Sequence, residues 1–483
     1  MLLHIYCKSS MDYYHTDRTT LGDLPFLQAS HFVESNNDYG NSWLRNLHLR
    51  GSPRAFERLQ HLLHEQGKKR DGEEYEFEVD GYVDRASWRQ VPLHIDNQNT
   101  ITLQSKYKPR FRRGESNDQI PYHADLLPRW ESFADSMKER RCLEGFKLDN
   151  IVLPPSPYLA SLLVALNNNI NLLSLQLSSC ELGTDGFKCI AKFVQKNNSL
   201  AALDVSGNKI EDVRATRSLA AAMRKHPELS ILDVSKCNLG GNIKLLSTVL
   251  NGCDGLQSLI LDNNGIDTKE GVTVVAKFLA GNNSLTVFSM DKNGMGNANA
   301  EILGNALKGN TKLRQLCLSS NGLVFPSIIS SKDVAKDLVS LDLNGKWWDC
   351  ERYKSYDQWE AARRSYPNKL KKPGFDAICR LLKSNSALVE LNLASTGIPA
   401  KAAELLASAL KKNTTLQYLD LSCNSFNDNS VPSFLKVLKK NNSLLSLNLC
   451  HNNIRVKTGR VGLLRGGICD VSSLNAIAAS NHT

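Results

Sequence analysis

The most regular feature of the chain is a recurring set of apolar positions in the form L-x-x-L-x-L-x-x-N-x-L. It begins with LEGFKLDNIVL at Leu143, LLSLQLSSCEL at Leu172, LAALDVSGNKI at Leu200 and LSILDVSKCNL at Leu229. LQSLILDNNGI at Leu256, LTVFSMDKNGM at Leu285 and LRQLCLSSNGL at Leu313 follow. LVSLDLNGKWW at Leu338, LVELNLASTGI at Leu388, LQYLDLSCNSF at Leu416 and LLSLNLCHNNI at Leu444 complete eleven copies. The starts lie 27 to 29 residues apart, except for one interval of 25 and one of 50. The alternation predicts a short strand with one apolar face. Between strands the period changes. In GTDGFKCIAKFVQKNNSL, Phe187, Ile190, Phe193 and Val194 fall on one face of a helix. An asparagine closes that segment three residues before the next leucine, at Asn197, Asn282, Asn310, Asn385, Asn413 and Asn441.

This pattern resembles the leucine-rich repeat, and its length is similar to that of the ribonuclease-inhibitor-like subclass, over about residues 143–483. The resemblance implies an α/β solenoid, a horseshoe with parallel strands on its concave face and helices on its convex face. One repeat cannot bury its leucines alone, so neighbours must stack into a continuous core. The ninth motif position is Asn208, Asn264, Asn293, Asn321, Asn424 and Asn452, where an inward amide can satisfy backbone groups as the chain leaves the strand. Cys180, Cys237 and Thr396 stand in for it, while Ile151 and Lys346 depart from the pattern.

Residues 1–142 do not fit this register. AFERLQHLLHEQ reads as a helix, and EYEFEVDGYVD and LHIDNQNTITLQ as strands, of a small α+β N-terminal cap over the open end of the array. LLPRWESFADSMKERRCL reads as the helical half of a degenerate first repeat. The basic residues Lys106, Lys108, Arg110, Arg112 and Arg113 read as a solvated loop. The 50-residue interval exceeds a 28-residue repeat by 22, which marks an insertion at about 347–372. It carries Trp347, Trp348 and Trp359 with several arginines, the chemistry of protein-interface anchors and of single-strand stacking. The same rings could equally fold back and pack the insertion. At the far end Asn481 takes the repeat-end position, so a further leucine is expected at 484, and the array is expected to be cut short there.

Composition narrows the chemistry. The formal charge is +10 over 483 residues, mild enough that only its placement matters. No run of about 18 apolar residues spans a bilayer, and the N-terminus reads as no secretory leader. Twelve cysteines with no C-x-x-C spacing point to a reducing compartment, and a cytoplasmic protein is expected. Sequons at Asn197, Asn282, Asn413 and Asn441 share one repeat position, so their spacing has a structural cause. The phosphate-binding G-x-x-x-x-G-K-[ST], the H-E-x-x-H and the G-x-S-x-G patterns do not occur. No catalytic residue, cofactor or metal site is expected.

The outward strand positions form rows. The row before the third leucine reads Lys147, Gln176, Asp204, Asp233, Ile260, Ser289, Cys317, Asp342, Asn392, Asp420 and Asn448. The row after it reads Asp149, Ser178, Ser206, Ser235, Asp262, Asp291, Ser319, Asn344, Ala394, Ser422 and Cys450. Seven aspartates and one lysine among these 22 positions predict an acidic concave face on a basic chain. Such a face repels nucleic acid and suits a basic protein surface. The expected function is a non-enzymatic protein-interaction scaffold with no membrane partner. Asp204, Asp233, Asp262, Asp291, Asp342 and Asp420 are expected to supply its electrostatics, and Trp347, Trp348 and Trp359 its anchors. Similar repeats build the Ran GTPase-activating protein and ribonuclease inhibitor, so regulation of a small GTPase is an alternative. The repeat arm of an immune-type sensor is another.

Overall fold

The computed structural model describes residues 172–324, 337–345, 368–438, 440–449 and 452–454. It also describes 74–78, 90–95, 100–104, 134, 145–149, 152–153, 156–168 and 170. Three strands come first: β1 (Glu74–Glu78), β2 (Gln90–Ile95) and β3 (Thr100–Gln104). Eleven more follow, one for each copy of the motif: β4 (Gly145–Asp149), β5 (Ser174–Ser178), β6 (Ala202–Asp204), β7 (Ile231–Asp233), β8 (Ser258–Ile260), β9 (Val287–Ser289), β10 (Gln315–Cys317), β11 (Ser340–Asp342), β12 (Glu390–Asn392), β13 (Tyr418–Asp420) and β14 (Ser446–Asn448). They form one sheet in chain order. β1–β3 pair antiparallel and β3 joins β4 in parallel, so the N-terminal strands continue the repeat sheet rather than make a second layer. From β4 onward every pairing is parallel.

The register explains why leucine recurs. Leu203 lies beside Leu232, Leu232 beside Leu259, Leu259 beside Phe288 and Phe288 beside Leu316. All five side chains are fully buried. Burying each stabilises the stack by about 1.5–3 kcal/mol relative to exposure. A slip of one residue would turn the whole row outward.

The helices lie between strands: α1 (Ser156–Leu166), α2 (Gly183–Lys196), α3 (Val213–Lys225), α4 (Ile243–Leu250), α5 (Lys269–Gly281), α6 (Gly296–Leu307), α7 (Lys372–Ser384), α8 (Ala403–Leu410) and α9 (Val431–Leu438). α2 buries the four residues its sequence pattern singled out. Starts are set by side-chain acceptors: Asp212 accepts from Arg214 N, Asn242 from Lys244 N and Thr268 from Gly271 N. Ends are set by the repeat-end asparagine. Asn197 Oδ1 accepts from Ser199 N at 2.9 Å and Leu200 N at 2.8 Å. Asn310 Nδ2 donates to the carbonyls of Leu279 and Asn282 in the preceding turn, and Asn441 Nδ2 to those of Leu410 and Asn413. This is the structural cause of the sequon spacing. In one turn His226 takes the asparagine's place, its Nδ1 accepting from Glu228 N and Leu229 N.

The inward asparagines bind successive turns together. Asn208 Oδ1 accepts from Cys180 N and Leu182 N, and its Nδ2 donates to the carbonyls of Leu177 and Val205. Cys237 Sγ donates to the carbonyls of Val205 and Ser235, so a thiol keeps half of this duty. At β11 the motif position is Lys346, yet the ladder is unbroken, because Asn368 fills it. Asn368 Oδ1 accepts from Asn321 N and Leu323 N, and its Nδ2 donates to the carbonyls of Leu318 and Leu343. The step from 346 to 368 is the 22-residue surplus of the long interval, so residues 346–367 separate Gly345 from its ladder amide. A Cβ at Gly345 would meet Ser395 O at 2.2 Å and Asn368 O at 2.6 Å, so this close approach requires glycine. Ala134, within the segment read as a degenerate repeat helix, is helical and buried in the continuous core. The segment AFERLQHLLHEQ, the basic run at 106–113, the aromatic stretch 347–366 and residues beyond 454 lie outside the described residues.

Candidate functional site: the strand face

Strands β6–β14 are three residues long, an inward residue between two outward ones. The second outward row is therefore Ala202, Ile231, Ser258, Val287, Gln315, Ser340, Glu390, Tyr418 and Ser446, before the second leucine. The row after the third leucine sits where the chain leaves these strands, and the alternation of the strand itself adds the row before the second leucine. Ala202, Ile231, Ile260, Val287, Cys317 and Tyr418 on this face are buried yet stand apart from the continuous core behind the sheet.

The aspartates are brought together here, and the structure gives each carboxylate an internal partner. Asp204 Oδ1 accepts from Ser206 N at 2.8 Å and its Oδ2 from Ser178 Oγ at 2.8 Å. Asp233 accepts from Ser235 N, Asp342 from Asn344 N and Asp420 from Ser422 N, each two residues on. Asn392 repeats this with Ala394 N. In β9 and β10 the equivalent residues are Ser289 and Cys317, which offer no carboxylate. The acceptor there comes from the turn before. Asp262 accepts from Asp291 N at 2.8 Å and from Ser289 Oγ, and Asp291 accepts from Ser319 N at 2.6 Å. In these turns a backbone N–H needs an acceptor as the strand ends, and in β9 and β10 the aspartate of the preceding turn supplies it.

These carboxylates are therefore less available than their formal count implies. Asp204, Asp233, Asp291 and Asp342 are buried, whereas Asp262 and Asp420 are half-buried. Burial raises the pKa of Asp204 and Asp262 above the usual carboxylate range. Burial, with the charges of Asp204 and Asp262, holds Asp233 well above it. Burial, with Asp262 and Asp342, does the same to Asp291. Glu390, which sequence reasoning missed because its row was not read, is pushed by burial up to about 7. Trp347, Trp348 and Trp359 lie outside the described residues, and so does the side chain of Asp149. Among the described residues no group of three or more His, Cys, Asp or Glu side chains is placed to hold a metal ion.

A parallel sheet built one strand per repeat, with helices between strands and an asparagine ladder between turns, defines a leucine-rich-repeat solenoid. The chain is a leucine-rich-repeat protein, similar to ribonuclease inhibitor in its repeats. The family model described as Leucine Rich repeat matches residues 168–191, 196–213 and 412–432. Among curated proteins, NACHT, LRR and PYD domains-containing protein 5 of Mus musculus is 25% identical over 201 residues, 41% of this chain and 17% of its own length. Capping protein, Arp2/3 and myosin-I linker protein 3 of Rattus norvegicus is 28% identical over 186 residues, 37% of this chain and 13% of its own. Ribonuclease inhibitor of Sus scrofa is 24% identical over 245 residues, 49% of this chain and 48% of its own. The chain thus spans less than half the length of each relative.

Proposed function

We propose that this chain is a non-enzymatic protein-interaction scaffold that binds a protein partner on its concave strand face. The observation that carries this reading is the unbroken parallel register from β4 to β14, which sets outward side chains from eleven strands in rows on one surface. Leucine-rich-repeat proteins generally mediate protein–protein interaction. Two of the relatives are named for it, one as an inhibitor of a ribonuclease and one as a linker of capping protein, Arp2/3 and myosin-I. The six aspartates Asp204, Asp233, Asp262, Asp291, Asp342 and Asp420 divide in this proposal. The half-buried Asp262 and Asp420 meet a basic partner, and the four buried ones hold the shape of the face. Trp347, Trp348 and Trp359 are proposed as additional anchors.

Affinity capture with the full chain tests this, comparing wild type with a D262S/D420S variant and with deletion of residues 347–366. The aspartate variant should retain less partner and show a weaker dependence of retention on salt. Unchanged retention by both variants would refute this placement of the site. A second reading, the repeat arm of a larger immune-type sensor, is favoured by the match to the mouse NACHT, LRR and PYD protein over 17% of that protein. The full-length transcript decides between an arm and a free-standing scaffold.

A further inference from the structure

The two edges of the solenoid differ in charge. One edge consists of the turns from the last two residues of each helix to the start of the next strand. Its described residues carry Lys196, Arg224, Lys225, Lys308, Lys312, Arg314, Lys383, Lys411, Lys412 and Lys440, ten cations. Only Glu228, Asp254 and Asp337 oppose them. The other edge, from strand ends to helix starts, is close to balanced. There ten cations, Lys209, Arg214, Lys236, Lys244, Lys269, Lys292, Lys369, Lys371, Lys372 and Lys401, sit among ten carboxylates, Glu181, Asp185, Glu211, Asp212, Asp262, Asp267, Glu270, Asp291, Glu404 and Asp428, so what sets the first edge apart is its lack of carboxylates.

The ten cations are not alike. Both arginines are engaged by backbone carbonyls. Arg224 donates to Asn251 O and lies near Asp254, and Arg314 donates to the carbonyls of Thr311 and Leu313. The eight lysines are all exposed, and none forms an ion pair among the described residues. A cation at a helix C-terminus complements the helix dipole. That accounts for one per helix, but not for Lys312 beyond the helix, nor for the scarcity of carboxylates along the whole edge.

The chemistry of the row selects its counterpart. Lysines act as point charges on flexible stems, whereas tight phosphate or carboxylate recognition favours the bidentate arginine fork. The described turns of this edge contain no Phe, Tyr or Trp, so bases of a single strand have nothing to stack on. Packed helices stand about 8–10 Å apart, so the lysines spread along several turns and do not converge on a point. Six of the eight fall in the C-terminal half, from Lys308 to Lys440. An extended, diffuse negative surface meets such a row all at once. We propose that this edge docks peripherally on an anionic lipid surface. No described helix is long and apolar enough to cross a membrane, and docking by an edge requires none.

The test is co-sedimentation of the full chain with vesicles of phosphatidylcholine alone or with about a third phosphatidylserine. K383Q/K411Q/K412Q/K440Q is compared with the charge-matched K269Q/K371Q/K372Q/K401Q on the other edge. All eight substituted lysines are exposed, and a thermal melt confirms that both variants fold. Wild type and the control variant should bind the anionic vesicles at about 0.1 M salt and release them near 1 M. The edge variant should bind up to about a thousandfold more weakly. Three results would overturn the proposal. They are wild-type binding that does not depend on phosphatidylserine, equal losses in the two variants, and displacement from vesicles by a DNA duplex at a lower phosphate concentration.

Discussion

Asn368 offers the sharpest test of how the array survives its long interval. In the Asn368→Ala variant the N–H groups of Asn321 and Leu323, at 3.0 and 2.9 Å from Oδ1, lose their acceptor inside the protein. The carbonyls of Leu318 and Leu343, at 2.8 and 3.0 Å from Nδ2, lose a donor. A buried donor left unsatisfied costs about 1–3 kcal/mol, so two put the loss at about 2–6 kcal/mol. The carbonyls add less, since each has a second lone pair. Because each turn of a solenoid touches only its neighbours, the loss falls on the junction of β10, β11 and β12. Urea unfolding followed by far-UV circular dichroism should show a lower midpoint and a second transition as the two halves uncouple. Asn368→Asp, which keeps the acceptor but turns a buried carboxylate oxygen toward the carbonyls of Leu318 and Leu343, should cost at least as much at neutral pH. Adding Lys346→Asn to the alanine variant should restore nothing, because the ladder place is filled from position 368. A loss below about 1 kcal/mol, or rescue by the added Lys346→Asn substitution, would refute the reasoning.

Other expectations follow from the same geometry. Burial lowers the pKa of His226 below its ordinary 6.5, against the carbonyl of Asn197 and the charge of Glu228. As pH falls below that value the unfolded chain takes up a proton that the folded chain refuses, so stability declines until the folded pKa is passed. His226→Asn should remove this slope between melts at about pH 7 and 5. Asp233, held well above the usual carboxylate range, has the opposite sign: its neutral form is favoured in the fold, and that advantage is lost as pH rises. Asp233→Asn keeps the acceptor for Ser235 N and should raise the melting temperature at neutral pH while leaving it unchanged near pH 3. Phe434 packs edge-on against Phe426 with ring centroids 5.2 Å apart, and both are fully buried. Phe434→Ala should cost about 3–5 kcal/mol by denaturant titration.

Much of this was legible along the chain, because stacked repeats turn a long-range contact into a local one. A leucine at a given motif position meets its counterpart 27 to 29 residues away, except beside β11, where the steps are 25 and 50. Period therefore stands for proximity, and Leu203, Phe187 and Asn208 could be placed before any coordinates. Where the repeat breaks, the inference breaks with it. Asn368 was not recognised, since nothing local distinguishes one asparagine after an insertion from any other. The surplus length held the information, but only the geometry attached it to a residue.

The face shows the same division. That aspartates line up on the strands follows from spacing alone, and so does their formal charge. What each carboxylate does depends on which N–H it meets and how deeply it is buried. Asp204 serves its own turn, whereas Asp262 serves the next one because Ser289 offers no carboxylate there. Sequence determined the repeat, the strand face and the helix ends, because these rest on a regular period. Tertiary structure alone decided the charge state of the face and the bare lysine edge, because desolvation and pairing depend on neighbours that the period does not specify.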